Sequence, residues 1–249
     1  MFRLGGARAV FTNRTGGVSQ APYNSLNVGF HVGDDRQHVI ENHRRINEAI
    51  GHDVVWMKQT HSNRVTMLQP GHTDGPISAD GLVMDARAFY KLGLTLPALG
   101  VMVADCVPLL LGSKNGHVVA AVHAGRSGIV TGIVREALFL LRQHGIAASQ
   151  LHAAIGPSIC GKCYEVSHEL HQFVTSHVPA AWSRTRWGSP GLDLRSAVVS
   201  QLQVAGVTVS FISKRCTYED HNLYSYRRDT TTGRFAGIAL ATQPLQENG

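Results

Sequence analysis

Apolar residues recur at helical spacing over four stretches: about 37–50 (QHVIENHRRINEAI), 131–144 (TGIVREALFLLRQH), 166–178 (VSHELHQFVTSHV) and 193–205 (DLRSAVVSQLQVA). Gly145 and Gly206 follow two of them as stop signals, and Asp193 is placed to cap the last. Shorter apolar runs, some alternating and some continuous, predict strands at 7–11, 53–57, 64–68, 80–84, 100–104, 107–111, 117–122, 151–155, 207–212 and 235–240. Strands outnumber helices and several adjoin through short turns. That pattern predicts an α+β fold with antiparallel pairs in preference to a regular βαβ alternation. No internal repeat, low-complexity segment or linker interrupts the chain, so residues 1–249 are expected to form a single domain.

Two of the runs carry chemistry. In VADCVPLLLGSKNGHVVAAVHAG a cysteine, Cys106, stands at the head of one predicted strand and a histidine, His123, at the end of the next. Closing the turn between Ser113 and Gly116 puts Cys106 directly opposite His123, whereas a two-residue turn at Asn115-Gly116 puts His123 opposite Pro108. In either register, side-chain alternation leaves Cys106 and His123 on the same face. A buried thiol or a hydrogen-bonded core histidine would read the same way, so the pair alone does not define a site. The segment that follows, HAGRSG, has small residues where backbone can approach a ligand closely. His61, in the polar segment KQTHSNRV, is a third candidate. Together His61, Cys106 and His123 would give an N₂S set suited to Zn²⁺ or copper with a coordination position left open.

Composition narrows the options. With 43% hydrophobic and 16% charged residues the chain is globular. Its 23 Lys and Arg against 17 Asp and Glu give a formal charge of +6, which favours anionic ligands such as phosphates or nucleotides. The basic residues are scattered without interleaved aromatics, so nucleic acid is not an expected partner. The first residues lack the apolar core of a signal peptide and no apolar run approaches a membrane span. Four cysteines in a chain of this length do not make a disulfide scaffold. The expectation is a soluble cytoplasmic protein with reduced thiols and no membrane partner.

The segments NRTGGVSQAPYNSLNVG, KQTHSNRV, ADGLVMD, ADCVPLLL, AAVHAGRSG, IGPSICGKCYEV and SYRRDTTTGRFAGIAL occur in order along nearly the whole chain. Together they resemble the YfiH/PgeF family, known as laccase-domain or multicopper polyphenol oxidoreductase-like proteins and as bacterial relatives of the human purine-metabolism protein FAMIN. The resemblance implies a single α+β domain of mixed and antiparallel sheets layered with helices, related to cysteine-hydrolase folds of the CNF-toxin/YfiH type. It also implies a His–Cys–His constellation falling on His61, Cys106 and His123. The activities it implies are phosphorolysis of adenosine, inosine or methylthioadenosine, deamination of adenosine, laccase-like oxidation of polyphenols, and removal of misincorporated L-serine from a UDP-MurNAc precursor.

These activities make different demands. A multicopper oxidase needs a mononuclear copper site plus a cluster rich in histidine. The remaining histidines among the 14, including His38, His43, His144, His152, His168, His171 and His177, fall mostly on expected exposed helix faces or their ends. Zinc is therefore the expected ion, with copper the alternative; zinc would bring the pKa of bound water to about 7 for attack on purine C6 or an amide carbonyl. A metal-free alternative uses Cys106 as nucleophile and His123 as base. Phosphorolysis needs an anion site, for which Arg45, Lys58, Arg64 and Arg126 are candidates, each also readable as a surface cation. Asn27, in the SLNVG loop, is a candidate substrate hydrogen-bonder or a turn residue. In CGKC, Cys160 and Cys163 have no second CxxC to complete four ligands, and Cys216 is the one cysteine left over. Packing or turn formation is preferred there over a redox or metal role. Tyr164 and Glu165 beside them are candidates to line a pocket.

Overall fold

The computed structural model describes residues 1–73 and 75–242. They form an α+β fold around two six-stranded sheets. In order across the first sheet lie Phe2–Leu4, Ala7–Phe11, Phe235–Leu240, Ala98–Val103, Val54–Lys58 and Ile77–Ser78. Across the second lie Thr208–Ile212, Leu151–Ile155, Val107–Ser113, Val118–Ala124, Gly81–Asp85 and Val65–Met67. Antiparallel pairs dominate, as the turn spacing predicts. Parallel pairs join Val54–Lys58 to both Ala98–Val103 and Ile77–Ser78, Val65–Met67 to Gly81–Asp85, and Leu151–Ile155 to Thr208–Ile212.

Alternation along the central strands sorts the core into layers. Leu99, Val101 and Val103, with Phe235 of the same sheet, point to the other sheet and join its Leu82, Leu110, Val119 and Ala121 in one buried cluster. Ala98 and Met102, from the opposite face, pack with Ile238 and with Ile46 of the Arg36–Ile50 helix. Leu109, Leu111, Ala120 and Val122 of the second sheet face outward, against Ile133, Leu141, Val198 and Leu202 of the Ile133–Gln143 and Leu194–Val204 helices. The order is thus helix, sheet, sheet, helices. Both faces of the inner strands are buried, which is why their sequences read as continuous apolar runs. Each fully buried Leu, Ile or Val contributes about 1.5–3 kcal/mol relative to exposure.

Three departures from the sequence expectation have identifiable causes. The helix expected over 131–144 is borne out as Ile133–Gln143, its start set by Gly132 at φ +92°, and a further helix not expected from the periodicity, Arg126–Thr131, precedes it. This short helix starts directly after His123, Ala124 and Gly125. Short elements at Phe2–Leu4, Ile77–Ser78, Ala86–Lys91, Trp182–Arg184, Pro190–Leu192 and Tyr226–Asp229 fall below the length at which periodicity registers. His43 is half-buried and not a surface residue: it packs on Trp56 and Phe30 with ring centroids 4.8 and 5.0 Å away, and its Nε2 lies 2.8 Å from the Val28 carbonyl. The Asp193 cap forms as expected, its carboxylate accepting from the Ser196 amide at 2.9 Å.

Candidate metal centre and substrate cavity

The hairpin register pairs Pro108 with His123 and Leu109 with Val122. The tight turn is nonetheless the one closed by the Gly116 amide on the Ser113 carbonyl, at 2.9 Å, with His117 added to the loop. Cys106 therefore lies diagonal to His123 and faces the same side. That side is the space between the sheets, since His123 shares the parity of Val119 and Ala121. On its other flank, Val118–Ala124 pairs with Gly81–Asp85 with Gly81 opposite Val122, and the His123 amide donates to the Asp80 carbonyl at 2.7 Å. One strand thus carries His123 between the Cys106 segment and Asp80.

Asp80 organises the third ligand as well. It is fully buried, and its carboxylate accepts from the amides of Thr60, His61 and Ser62 at 3.2, 3.0 and 2.8 Å and from the Ser62 hydroxyl at 2.7 Å. His61 sits at φ +61°, a left-handed conformation that costs a non-glycine residue about 1–3 kcal/mol and that these bonds hold in place. The side chain of Gln59 pairs with both backbone groups of Met102 at 2.8 Å and fastens the same segment to the first sheet. Asp105, at φ +95°, holds the Cys106 side. Its carboxylate accepts from Thr217 Oγ1 at 2.5 Å, Ser225 Oγ at 2.7 Å and the Arg227 amide at 2.7 Å.

The result is a set in which one ring nitrogen each of His61 and His123 and the Sγ of Cys106 lie within 4.8 Å of one another. The His61 and His123 rings meet edge to face, 4.7 Å between centroids. His123 Nδ1 lies 2.8 Å from an Asp80 oxygen, so the proton sits there and Nε2 is left for a ligand. A carboxylate behind a histidine is the usual arrangement at metal centres. Burial would raise the Asp80 carboxyl, but hydrogen bonds from His123 and Ser62 outweigh it and hold it well below the usual carboxylate range. Burial would likewise raise the Cys106 thiol, but the charge and hydrogen bonds of His123, with those of His61, bring it down to about 6. Against its own burial, His123 is raised by Cys106 and Asp80 to about 9. Without a metal the site is a thiolate–imidazolium pair. With one, two imidazoles and a thiolate supply three of the four ligands of a tetrahedral centre, so the donors fit a metal ion. Gly125 keeps the space open: a Cβ there would lie 3.2 Å from Cys106 Sγ and 3.2 Å from His61 Cδ2.

These groups open into a cavity of about 380 Å³ also lined by His31, Ile159, Tyr164, Leu194, Tyr226, Arg227 and Arg234. The Arg227 guanidinium stacks over Tyr164, 4.9 Å from the ring centroid, and donates to the Glu165 carbonyl. Burial and Arg234 lower the pKa of His31. A larger groove of about 690 Å³ lies on the helical face, lined largely by Val130, Val134, Leu138, Phe139 and Val204; among the described residues it gathers no metal-ligating cluster.

The residues named from sequence divide accordingly. His61, Cys106 and His123 come together, and Tyr164 lines the cavity. Arg126 lies beside Tyr164, where its charge acts to lower the tyrosine hydroxyl against the larger effect of burial. Asn27 is buried under the cavity wall, where its side-chain oxygen accepts from the Arg234 amide at 2.8 Å and its nitrogen donates to Asp34 at 2.8 Å. Arg45 pairs with Glu41 at 2.8 Å and donates to the Gly16 carbonyl, away from the ligand set. Lys58 ends its strand outside the cavity lining, and Arg64 lines a separate surface depression with Glu136 and Gln143. Sequence reading missed Asp80, Asp105, His31, Arg227 and Arg234. Strand pairing of 80–84 with 117–122 would have exposed Asp80, because that register sets it opposite His123.

Residues 8–242 match the family described as multi-copper polyphenol oxidoreductase laccase, and the chain belongs to this laccase-like YfiH family. A Streptomyces griseus protein named purine nucleoside phosphorylase ORF3 is 44% identical over 238 residues, 94% of each chain. A Shigella flexneri protein named purine nucleoside phosphorylase YfiH is 34% identical, covering 94% of this chain and 93% of its own. The crystal structure of YlmD from Geobacillus stearothermophilus superposes with a TM-score of 0.83 at 32% identity, over 96% of this chain and 93% of that one. Among the described residues no helix is long and apolar enough to cross a membrane.

Proposed function

We propose that this chain is a purine nucleoside phosphorylase acting at the His61–Cys106–His123 site. Its substrates are adenosine, inosine or methylthioadenosine with phosphate, and adenosine deamination is a second reaction of the same cavity. The observation that carries the reading is the union, in one cavity, of the three-ligand set with an aromatic and cationic wall formed by Tyr164, Tyr226, Arg227 and Arg234. The names of the relatives support it.

The chemistry asks for what the wall offers. A purine needs a flat, mostly apolar slot, for which Met102, Ile159, Leu194 and the two tyrosines are suited. Phosphate needs guanidinium forks, supplied by Arg227 and Arg234. In phosphorolysis a phosphate oxygen bonds to ribose C1′ as the C1′–N9 bond breaks, and the purine departs with a proton. The arginines hold and orient the phosphate beside C1′. The phosphate gives up that proton as its oxygen bonds to C1′, and His31, the cavity's imidazole outside the ligand set, kept uncharged by burial and Arg234, accepts it and passes it to the leaving base. His61, Cys106 and His123 would hold the ion, zinc in preference to copper, and Asp80 keeps His123 oriented. When bound, zinc supplies a Lewis acid and an acidified water, which replacement of an amino group at purine C6 requires. Multicopper oxidation asks for a histidine-rich cluster; the other ligand group among the described residues is three cysteines and a glutamate.

The test is to incubate purified protein with adenosine and phosphate, and separately with UDP-MurNAc-L-Ser, and to follow products by mass spectrometry. Ribose 1-phosphate and adenine are expected, only when phosphate is present. Serine release without nucleoside cleavage would contradict the reading and favour the amidase.

A further inference from the structure

The second ligand group lies where two parallel strands run out into loops. Leu151–Ile155 continues to the turn that carries Cys160 and Cys163, and Thr208–Ile212 continues to the segment that carries Cys216 and Glu219. The loops are joined side by side: Ser158 and Cys216 form a parallel bridge, and the Thr217 amide donates to the Ser158 carbonyl at 3.2 Å. The three sulfurs and a Glu219 oxygen all lie within 4.8 Å of one another. Bonds of 2.3 Å to a tetrahedral zinc would set sulfurs about 3.8 Å apart, so closure of the group on an ion needs movement of about 1 Å or less.

We propose that Cys160, Cys163, Cys216 and Glu219 form a second metal site, which takes zinc as a structural ion.

The local chemistry supports thiolate ligands. All three thiols are free, Cys163 and Cys216 are buried, and they rest against Ile159, Tyr164 and Tyr218. Backbone amides face the sulfurs, with Cys160 N donating to Cys216 Sγ at 3.3 Å; such donors stabilise thiolate charge. The turn itself is closed by the Cys163 and Tyr164 amides on the Cys160 carbonyl, at 2.9 and 3.0 Å, which turns both cysteine side chains to one side. Three thiolates and a carboxylate around a dication leave a charge of −2. Arg186 answers part of it, donating to Cys163 Sγ at 2.7 Å and pairing with Glu219. Thiolate sulfur in this number selects zinc over the harder divalent cations.

The position gives the ion its role. Ile159 and Tyr164, one residue to either side of the CGKC turn, line the substrate cavity. The Ile159 amide donates to the Asp105 carbonyl at 3.0 Å, and Thr217, next to Cys216, donates to the Asp105 carboxylate. An ion joining the two loops therefore braces the wall that holds Cys106, without facing the reacting groups.

The test uses Cys106→Ala protein, in which the three remaining thiols are those of this group. The protein is incubated with zinc, desalted, and its metal counted by mass spectrometry. Two zinc ions per wild-type chain and one per Cys106→Ala chain are expected. The ion in the variant should leave on titration with a mercurial reagent that consumes three thiols, and the same variant loaded with cobalt should show strong thiolate-to-cobalt charge-transfer absorption. A Cys163→Ser variant should hold one ion; if it does not fold, the counts for the other two proteins decide. A Cys106→Ala protein without zinc and with three titratable thiols would overturn the proposal, and so would a disulfide between any two of them. Metal and thiol counts do not depend on nucleoside turnover, so this outcome is separate from the fate of the phosphorylase reading.

Discussion

The Asp80 carboxylate lies 2.8 Å from His123 Nδ1, and both side chains are buried. The same carboxylate accepts the amides of Thr60, His61 and Ser62, so one residue orients two of the three ligands. Asp80→Asn keeps the shape and removes the charge. It is expected to weaken zinc binding about 10–100-fold, as measured by chelator competition. Loss of charge-assisted bonds should also lower unfolding stability by about 1.5–3 kcal/mol. A folded variant with unchanged zinc affinity would show that Asp80 does not position His123.

Gly125 has φ −79°, which alanine adopts readily, so Gly125→Ala tests space and not backbone strain. The added methyl would crowd Cys106 Sγ and His61 Cδ2 by a few tenths of an ångström. Thermal stability should change little while turnover falls about tenfold, because small displacements of reacting groups are costly. Equal activity would mean that the space between the three ligands is not used.

In protein stripped of metal, Cys106 is a thiolate above pH about 6, paired with a His123 that stays protonated up to pH about 9. Between these values the thiolate should alkylate readily with iodoacetamide, with the rate falling as pH drops through 6. An unperturbed cysteine would not reach its midpoint until about pH 8.5. Peptide mapping separates Cys106 from the other three cysteines. His123→Ala removes the cation and should return the Cys106 midpoint to or above the ordinary range.

Arg234 enters the cavity from the strand start that Asn27 anchors. Arg234→Ala is expected to raise the KM for phosphate about 10–100-fold, with a smaller effect on the KM for nucleoside, the value of one lost charge-assisted contact. Initial rates at varied phosphate measure it. An effect confined to nucleoside KM would place the arginine at the base or ribose instead.

Much of this was legible in the chain. Side-chain parity alone put Cys106 and His123 on one face, in either register, and continuous apolar runs such as VVAAV marked strands buried on both sides. Asp80 was not legible as a functional residue, because an aspartate in SADG has the look of a turn former; only pairing with the 118–124 strand gives it a partner. Arg227 and Arg234 lie more than 100 positions from Cys106, and His31 about 75 before it, so no local pattern could bring them to the cavity. Arg45, Lys58 and Arg64 stand near the motifs in sequence but lie outside the cavity lining. The break at Gly132 was hidden because a single glycine is tolerated inside many helices.

Nucleoside cleavage at the proposed His61–Cys106–His123 centre requires the Cys106 sulfur. This requirement is tested most directly by the phosphate-dependent release of adenine from adenosine by Cys106→Ala protein, measured beside the wild type. A fall of about a thousandfold or more in kcat/KM is expected with the fold intact. Release at the wild-type rate would contradict it.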